Sequence, residues 1–316
     1  HKRAVALNRK KIKEYFNELE IRKLKFQEFR DSIPHSKEYT AETIVDSLEK
    51  YDVFISGSDQ IWKPGVIQDA FVLKFVPDNK KKISYATSIA ISGIQKRAWF
   101  SRYLLENLSD YNAISVRECE TAQELHHILK RNVSWVVDPT LLLDKSEWNR
   151  VVADRIVNEK YLFAYFLGKS EKQRKFVTDF ARNNDLKIVN IPFAGGEYVE
   201  ADQKFGDYRL FDIGIPEFFS LIKYAEIVFT DSFHAVCFSR VFEKNFYVMD
   251  RKVQSNGDKM NSRIESILQI MGLPDRLICE DTSNCLQDEI DYIQVEENLL
   301  PYIENSKQFL RESLLN

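Results

Sequence analysis

The sequence has few of the features that mark a metalloprotein, a disulfide-rich domain or a nucleotide-binding enzyme. Four cysteines occur in 316 residues, with neither a CxxC motif nor a paired spacing, so the sequence predicts neither a zinc site nor a disulfide framework. No GxGxxG follows a strand pattern and no P-loop motif is present, which leaves dinucleotide and ATP sites without support. We expect a chain that works in a reducing, cytoplasmic compartment without a metal ion or cofactor.

A long apolar run and a strong net charge are also missing. No apolar stretch approaches the roughly 20 residues that span a bilayer, and no signal-peptide pattern opens the chain. The formal net charge is -3, from 45 basic and 48 acidic residues, and no patch interleaves basic with aromatic residues, so no nucleic-acid partner is expected. With 44% hydrophobic residues, the chain is long enough for two globular domains.

The first thirty residues predict a charged helix, with ten Lys or Arg against four Glu. Two interpretations remain open: the helix presents a solvated face, or its basic residues contact an anionic membrane surface. The second interpretation would place the protein at the inner face of the membrane. Because the chain opens at His1 rather than a methionine, we expect its natural N-terminus to lie upstream.

Strand patterns alternate with helical patterns from Tyr51 onward, which is typical of parallel α/β sheets. Helix starts are marked by Ser170, with Gln173 three residues on, and by Pro216. A helical pattern at 146–157 separates two series of strands, and the segment 193–216 is expected to form a functional or mobile rim. The strand patterns cover residues 51–57, 82–88, 113–116 and 133–138 in the first series, and 161–168, 186–191, 226–230 and 246–250 in the second.

The two series predict the α/β fold class with two Rossmann-like, doubly wound domains. We assign residues 1–150 to the N-terminal domain, joined by a C-terminal helix at 289–316, and residues 151–288 to the C-terminal domain.

Polar residues follow several of the predicted strands. They are Ser56 to Gln60, Arg117 with Glu118, Asp138 to Thr140, and Thr230 to Ser232 with His234. Ligands of open α/β sheets bind beyond the carboxyl ends of the strands, and in a two-domain protein these edges can face each other across a cleft. The sequence therefore predicts an active site at the strand ends.

The stretch from Gly57 to Trp62, GSDQIW, allows two interpretations. It offers a tight turn at Gly57, then the hydroxyl, carboxylate and amide of Ser58, Asp59 and Gln60, and with Trp62 as an aromatic floor these groups suit a sugar. Alternatively, Ser58 and Asp59 cap the following turn and Trp62 belongs to the core.

Arg117 follows a buried strand and precedes a helix, so its guanidinium is expected near helix N-terminal amides. That placement suits a carboxylate or a phosphate. The alternative is a surface ion pair with Glu118 or Glu120, which would contribute little. Asp138, which ends a strand before Pro139, is expected to act mainly as a structural hinge.

His234 lies at the start of a short helix whose apolar spacing buries Phe233, Val236 and Cys237. Free backbone amides and the positive helix end favour an anion there, and imidazole can also transfer a proton. A lone histidine can instead be a satisfied structural residue, but its position after a strand end favours a role in the site.

Five ordered segments resemble the polysaccharide pyruvyl transferase family. They are DVFISGSDQIW (52–62), ISYATS (83–88), ISVRE (114–118), VDPTLL (137–142) with Trp148, and TDSFHAVCFSRVF (230–242). The resemblance implies a fold similar to the type B glycosyltransferases, with the site between the domains. It also implies transfer of pyruvate from phosphoenolpyruvate to a sugar of a cell-surface polysaccharide, or of its lipid-linked precursor, as a ketal.

By position, Arg117 and His234 match the family's anion-binding arginine and its motif histidine. Two departures stand out: many members carry Arg-Leu-His-Gly where this chain reads Ser232-Phe233-His234-Ala235, and the family's usual opening strand with its Gly-containing loop is not in the chain. One donor-binding arginine is thus replaced or unneeded.

We assign roles on this basis. His234 is expected to bind phosphate or donate a proton, Arg117 to bind an anion, and Asp59 to orient or deprotonate an acceptor hydroxyl. The residues assigned to substrate binding are Gly57, Ser58, Gln60, Trp62, Ser88, Asp138, Ser232, Phe233 and Arg263. Two other functions stay open: a nucleotide-sugar glycosyltransferase and a saccharide-binding member without catalytic activity.

Overall fold

The computed structural model describes residues 15–57, 59–192, 199–250, 262–278 and 289–315. It contains two compact units, each built on one parallel β-sheet, and this confirms the predicted α/β class. The first-sheet unit comprises residues 36–142, 252–273 and 293–316, and the second-sheet unit comprises residues 1–35, 143–251 and 274–292.

Helices and strands alternate along most of the chain. The described helices are α1 (Phe16–Asp31), α2 (Ala98–Leu108), α3 (Cys119–Leu129), α4 (Lys145–Asn149), α5 (Glu171–Asn183), α6 (Ile215–Lys223), α7 (Phe233–Val241), α8 (Ser262–Met271) and α9 (Tyr292–Leu315). The described strands are β1 (Val53–Ser56), β2 (Lys81–Thr87), β3 (Ala113–Val116), β4 (Ser134–Trp135), β5 (Tyr161–Tyr165), β6 (Lys187–Asn190), β7 (Tyr208–Arg209), β8 (Ile227–Thr230), β9 (Asn245–Met249) and β10 (Leu277–Ile278).

The first sheet has four parallel strands in the order β1-β2-β3-β4. Helix α2 buries one face through Phe100, Leu104 and Leu108, because residues four apart lie on the same side of a helix. Helix α9 also packs with this sheet: the backbone amide of Val137 donates to the hydroxyl of Ser306 at 3.0 Å. The C-terminal helix therefore lies with the first sheet, although the sequence separates them widely.

The second sheet has six parallel strands in the order β10-β9-β8-β5-β6-β7. Tyr165 pairs with Thr230, so β5 and β8 end at the same level and the residues that follow them come together. Strands β7 and β10 contain two residues each, which is too short for a recognisable pattern, and the sequence did not predict them.

Helix α1 belongs to the second-sheet unit, whereas the sequence assigned it to the N-terminal domain. Tyr15 stacks on Phe211 with ring centroids 3.9 Å apart, and Lys25 Nζ lies 2.7 Å from a carboxylate oxygen of Glu217. Helix α1 has no buried residue, so it carries no apolar stripe from which its partner could have been predicted.

Helical structure after residue 144 is shorter than the predicted helix at 146–157. A capping box between Asp144 and Glu147 starts α4, which ends at Asn149. The backbone amide of Ala153 then donates to the carbonyl of Pro216 at 3.0 Å, so a tertiary contact replaces the helical one. The predicted cap at Ser170 is confirmed, since its hydroxyl accepts from the amide of Gln173 at 3.4 Å.

The segment 193–216, expected to form a functional or mobile rim, is described only in part. Residues 193–198 lie outside the described residues, and the remainder contains a short 3₁₀ turn, β7 and the start of α6. Across the described ranges, no helix combines the length and apolar character needed to cross a membrane.

The core around Phe229 of β8 allows a test of the packing by mutation. The ring of Phe229 is fully buried and lies 5.1 Å from Phe180 and 5.5 Å from Tyr247. We expect Phe229→Ala to lower the free energy of unfolding by about 3–5 kcal/mol in urea titrations, because it leaves a cavity. Phe16→Ala, in the same unit but 58% exposed, should change it by less than about 0.5 kcal/mol. Equal effects of the two substitutions would contradict this core assignment.

Candidate functional site

Ionic side chains come together at the carboxyl ends of the strands in the first sheet. We call this group the arginine cluster; it consists of Asp59, Ser88, Arg117, Glu118, Asp138 and Arg263. All six residues belong to the first-sheet unit. The prediction that polar residues converge at this edge of the sheet is confirmed by the hydrogen bonds between them.

Arg117 is the centre of the cluster. Its Nη1 donates to Asp138 at 2.5 Å and its Nη2 donates to Asp59. Arg263 Nη1 donates to the same Oδ1 oxygen of Asp59 at 2.5 Å, while the Ser88 hydroxyl donates to Glu118. Arg117 is therefore a buried residue between carboxylates, and the alternative of a surface ion pair is wrong.

Burial and charge act against each other at these groups. Burial opposes the charge on Arg117, yet the nearby carboxylates of Asp138, Glu118 and Asp59 raise its pKa above the ordinary value. Burial lowers the pKa of Arg263 and raises that of Glu118. A buried guanidinium needs an anionic partner, and in this cluster the carboxylates of Asp59 and Asp138 fill that role.

The backbone around the cluster adopts unusual conformations. A Cβ on Gly57 would lie 2.6 Å from the carbonyl oxygen of Tyr85, so only glycine allows β1 to approach β2 this closely. Gln60 and Ala86 have φ of 57° and 51°, and the pairing of β2 with β3 shifts between Ser84 and Thr87. Such strained positions persist where the surrounding structure holds them.

Several residues assigned to substrate binding have structural roles instead. Trp62 is fully buried and its indole N–H donates to the carbonyl of Phe71 at 2.9 Å, so the prediction that it faces a sugar is wrong. Ser88 is fully buried against Glu118. Asp138 is buried and caps the turn at Thr140, whose amide lies 3.0 Å from its carboxylate.

Three other residues of GSDQIW were assigned to substrate binding: Gly57, Ser58 and Gln60. Ser58 lies outside the described residues. Gln60 is half-buried, and its side-chain oxygen lies 3.5 Å from Lys63 Nζ. Gly57 contributes a close backbone approach to the Tyr85 carbonyl, and its φ lies outside the left-handed region.

A cavity of about 340 Å³ lies in the second-sheet unit, beside the ends of β5 and β8. Its lining is mainly apolar, with a small polar group made by Arg22, Tyr165, Ser232 and His234. The apolar lining comes from Phe26, Leu167, Ile191, Ile213, Ile215, Phe218, Phe219 and Phe238.

His234 is the one residue between Asp231 and Phe242 that is not buried, and every residue of that segment is described. It follows Phe233 in the first turn of α7, and the two rings meet edge to face with centroids 5.3 Å apart. Phe233 is 5% exposed, so it holds the helix down and is not a substrate contact. Ser232, the N-cap residue, lines the cavity with His234.

Asp231 connects the loop after β5 with the start of α7. Its two carboxylate oxygens accept hydrogen bonds from the backbone amides of Leu167 and Gly168, each at 2.7 Å. The loop after β5 is thereby tied to the end of β8. The sequence placed Asp231 beside the predicted site but gave it no role.

Arg22 and Tyr165 are further residues that the sequence did not indicate. Burial raises the pKa of Tyr165, and the nearby Arg22 partly offsets this. No local pattern marks Arg22, because helix α1 brings it to the cavity from a distant part of the chain. Within the described ranges, no group of three or more His, Cys, Asp or Glu side chains is placed to hold a metal ion.

Comparison with known proteins gives one family and several similar folds. A family model described as polysaccharide pyruvyl transferase matches residues 3–252, while no curated protein matches the sequence. A trehalose-6-phosphate synthase, solved in a study of enzymatic glycosyl transfer with retention, has a TM-score of 0.53 at 9% identity, covering 86% of this chain and 76% of that chain.

Two further structures are similar. Trehalose-6-phosphate synthase OtsA has a TM-score of 0.50 at 8% identity, covering 78% of this chain and 75% of its own. The UDP-GlcNAc 2-epimerase from Methanocaldococcus jannaschii has a TM-score of 0.45 at 11% identity, covering 91% and 81%. The likeness to the two trehalose-6-phosphate synthases, at 8% and 9% identity, shows the fold alone, which is the type B glycosyltransferase fold that the sequence predicted.

The family match covers most of the chain. All five segments that carry the resemblance lie within the matched residues 3–252. The chain belongs to the polysaccharide pyruvyl transferase family, and the protein is a transferase.

Proposed function

We propose that this protein transfers the pyruvyl group of phosphoenolpyruvate to two hydroxyls of a sugar, in a cell-surface polysaccharide or its lipid-linked precursor. The observation that carries the proposal is the pair of buried guanidinium groups, Arg117 and Arg263, at the strand ends of the first sheet. A donor with a carboxylate and a phosphate needs fixed cations of this kind.

The reaction can be written so that atoms balance without an oxidant. C3 of the enol takes a proton and becomes a methyl group, and one sugar hydroxyl oxygen bonds to C2. The bond between C2 and the phosphate oxygen breaks, and a second hydroxyl oxygen bonds to C2 to close the ketal. The two hydroxyl protons are matched by one on C3 and one on the released phosphate.

Arg117 and Arg263 supply the anion-binding part of the proposal. Both are held by carboxylates in a buried environment, where charge–charge interactions are stronger than in water. A planar guanidinium presents two parallel N–H donors to a carboxylate or phosphate. Asp59, which pairs with both arginines, orients or deprotonates a hydroxyl of the acceptor sugar in this proposal.

His234 supplies the acid–base part. It reaches the cavity from the first turn of a nine-residue helix, where backbone amides lack helical partners and favour an anion. An imidazole in that place can bind the phosphate or deliver the proton to C3.

Arg22 offers a replacement for the cation that many family members place at position 232. It lines the same cavity as Ser232 and His234. Its guanidinium lies 5.6 Å from the ring centroid of Phe26, which favours an orientation along the cavity wall. We assign Arg22 to binding an anionic group of the donor.

The proposal is tested by incubating the protein with phosphoenolpyruvate and a panel of saccharides and lipid-linked saccharides. We expect acceptor-dependent release of phosphate, with a product heavier than the acceptor by one pyruvate less water. Thermal stabilisation by nucleotide sugars and not by phosphoenolpyruvate would instead support a glycosyltransferase. Saccharide binding with no turnover would support a non-catalytic member.

His234→Ala should reduce acceptor-dependent phosphate release by about 10²-fold or more, as expected for loss of a proton donor or phosphate ligand. The melting temperature should change little, because this side chain is only half-buried. The matched control is His127→Ala, which removes an exposed histidine from α3 in the other unit. Activity of both variants at the wild-type level would show that His234 has no such role.

Arg22→Gln should raise the KM for phosphoenolpyruvate by about tenfold or more, because hydrogen bonds to a charged group are lost. Steady-state kinetics with saturating acceptor separate this effect from a change in kcat. Lys23→Gln is the matched control, since Lys23 is the neighbouring cation and its side chain is 76% exposed. An unchanged KM in Arg22→Gln would remove Arg22 from the donor site.

A further inference from the structure

One carboxylate oxygen in the arginine cluster serves two arginines. Oδ1 of Asp59 accepts from Arg117 Nη2 and from Arg263 Nη1. The two arginines are otherwise in different parts of the chain, one after β3 and one in α8. A single acidic side chain thus links both cations.

Exposure distinguishes Asp59 from its partners. Its side chain is 36% exposed, whereas those of Arg117 and Arg263 are 3% and 6% exposed. Asp138, the other carboxylate on Arg117, is 3% exposed. Solvent therefore reaches the cluster on the side of Asp59, and a ligand that approaches both arginines from solvent meets this carboxylate first.

The segment that carries Asp59 is anchored at both ends. Gly57 packs against the Tyr85 carbonyl, and Trp62 is fixed by its indole hydrogen bond to Phe71 and by a backbone hydrogen bond to Ser88 at 3.2 Å. Between these anchors, Asp59 is followed by Gln60 in the left-handed region. A carboxylate tethered in this way competes with a free anion at a high effective concentration.

We propose that Asp59 is a built-in competitor, whose carboxylate occupies the oxyanion position between Arg117 and Arg263 until a carboxylate or phosphate displaces it. The displaced carboxylate then becomes available to a sugar hydroxyl. This second step rests on the proposed pyruvyl transfer, and it makes binding of the donor precede activation of the acceptor. The displacement itself does not depend on which reaction follows.

The displacement is tested by whether a substitution of Asp59 lowers or raises the Kd for inorganic phosphate. Asp59→Asn keeps a hydrogen-bond acceptor near the arginines but removes the negative charge. Titration with inorganic phosphate at constant ionic strength should give a Kd at least about tenfold lower than wild type, because the internal competitor is gone. A carboxylate that only stabilised the fold would give an equal or higher Kd, which would overturn the proposal.

Asp52→Asn is the matched control. Asp52 precedes β1 in the same unit, and it pairs with Lys80 at 2.8 Å while its own side chain is 95% exposed. This variant should bind phosphate as the wild type does. Tighter binding in Asp52→Asn as well would show a general charge effect and contradict displacement at Asp59.

Thermal unfolding gives a second measurement, because Asp59→Asn leaves two buried guanidinium groups short of one carboxylate. Without phosphate the variant should melt at a lower temperature than wild type, and added phosphate should raise its melting temperature more than that of wild type. Should the variant not fold alone, phosphate should restore folding. A fixed deficit at all phosphate concentrations, or failure to fold with phosphate present, would overturn the proposal.

The outcome separates this inference from the proposed function. Tighter phosphate binding in Asp59→Asn without any pyruvyl transfer by the wild type would support displacement and exclude the reaction. Pyruvyl transfer by the wild type with weaker phosphate binding in Asp59→Asn would support the reaction and exclude displacement.

Discussion

The interaction on which the candidate site depends is the pairing of one buried guanidinium, that of Arg117, with the carboxylates of Asp59 and Asp138. Burying a charged group costs free energy unless an opposite charge pairs with it. The segments that follow β1 and β4, which carry Asp59 and Asp138, must therefore lie next to Arg117 after β3. The polar residues after β1, β3 and β4 are held together for this reason. For the same reason, any group that replaces a carboxylate there must carry a similar negative charge.

In the second-sheet unit, the candidate functional group is the imidazole of His234, which lines a cavity. This cavity is lined mostly by apolar side chains, and few of the lining residues are polar. Asp231 ties the loop after β5 to the end of β8 through two backbone amides, so the first turn of α7 has a fixed position. Phe233 and Val236 are core residues, and their burial orients α7 so that His234 lines the cavity.

The sequence predicted the features that depend on local patterns. Continuous apolar runs indicated β2, β3 and β5 because strands of parallel sheets are buried on both faces, and Ser170 marked the start of α5 through its capping geometry. Convergence of Asp59, Arg117 and Asp138 followed from the rule that parallel strands end at the same edge. These predictions required no knowledge of distant contacts.

The features that the sequence missed depend on tertiary contacts. Helix α1 has no buried face, so nothing in its pattern indicated that Lys25 would pair with Glu217 and bring Arg22 to the cavity. Trp62 looked suitable for a sugar, since an aromatic ring next to polar residues fits either a ligand or the core. Only its complete burial decides between them.

The most direct measurement is an experimental structure of the protein with phosphoenolpyruvate bound. The account predicts a carboxylate or phosphate oxygen of the ligand within about 3 Å of guanidinium nitrogens of Arg117 and Arg263, with the carboxylate of Asp59 moved off both arginines. A bound ligand that makes no contact with either arginine, while Asp59 keeps both of its hydrogen bonds, would contradict it.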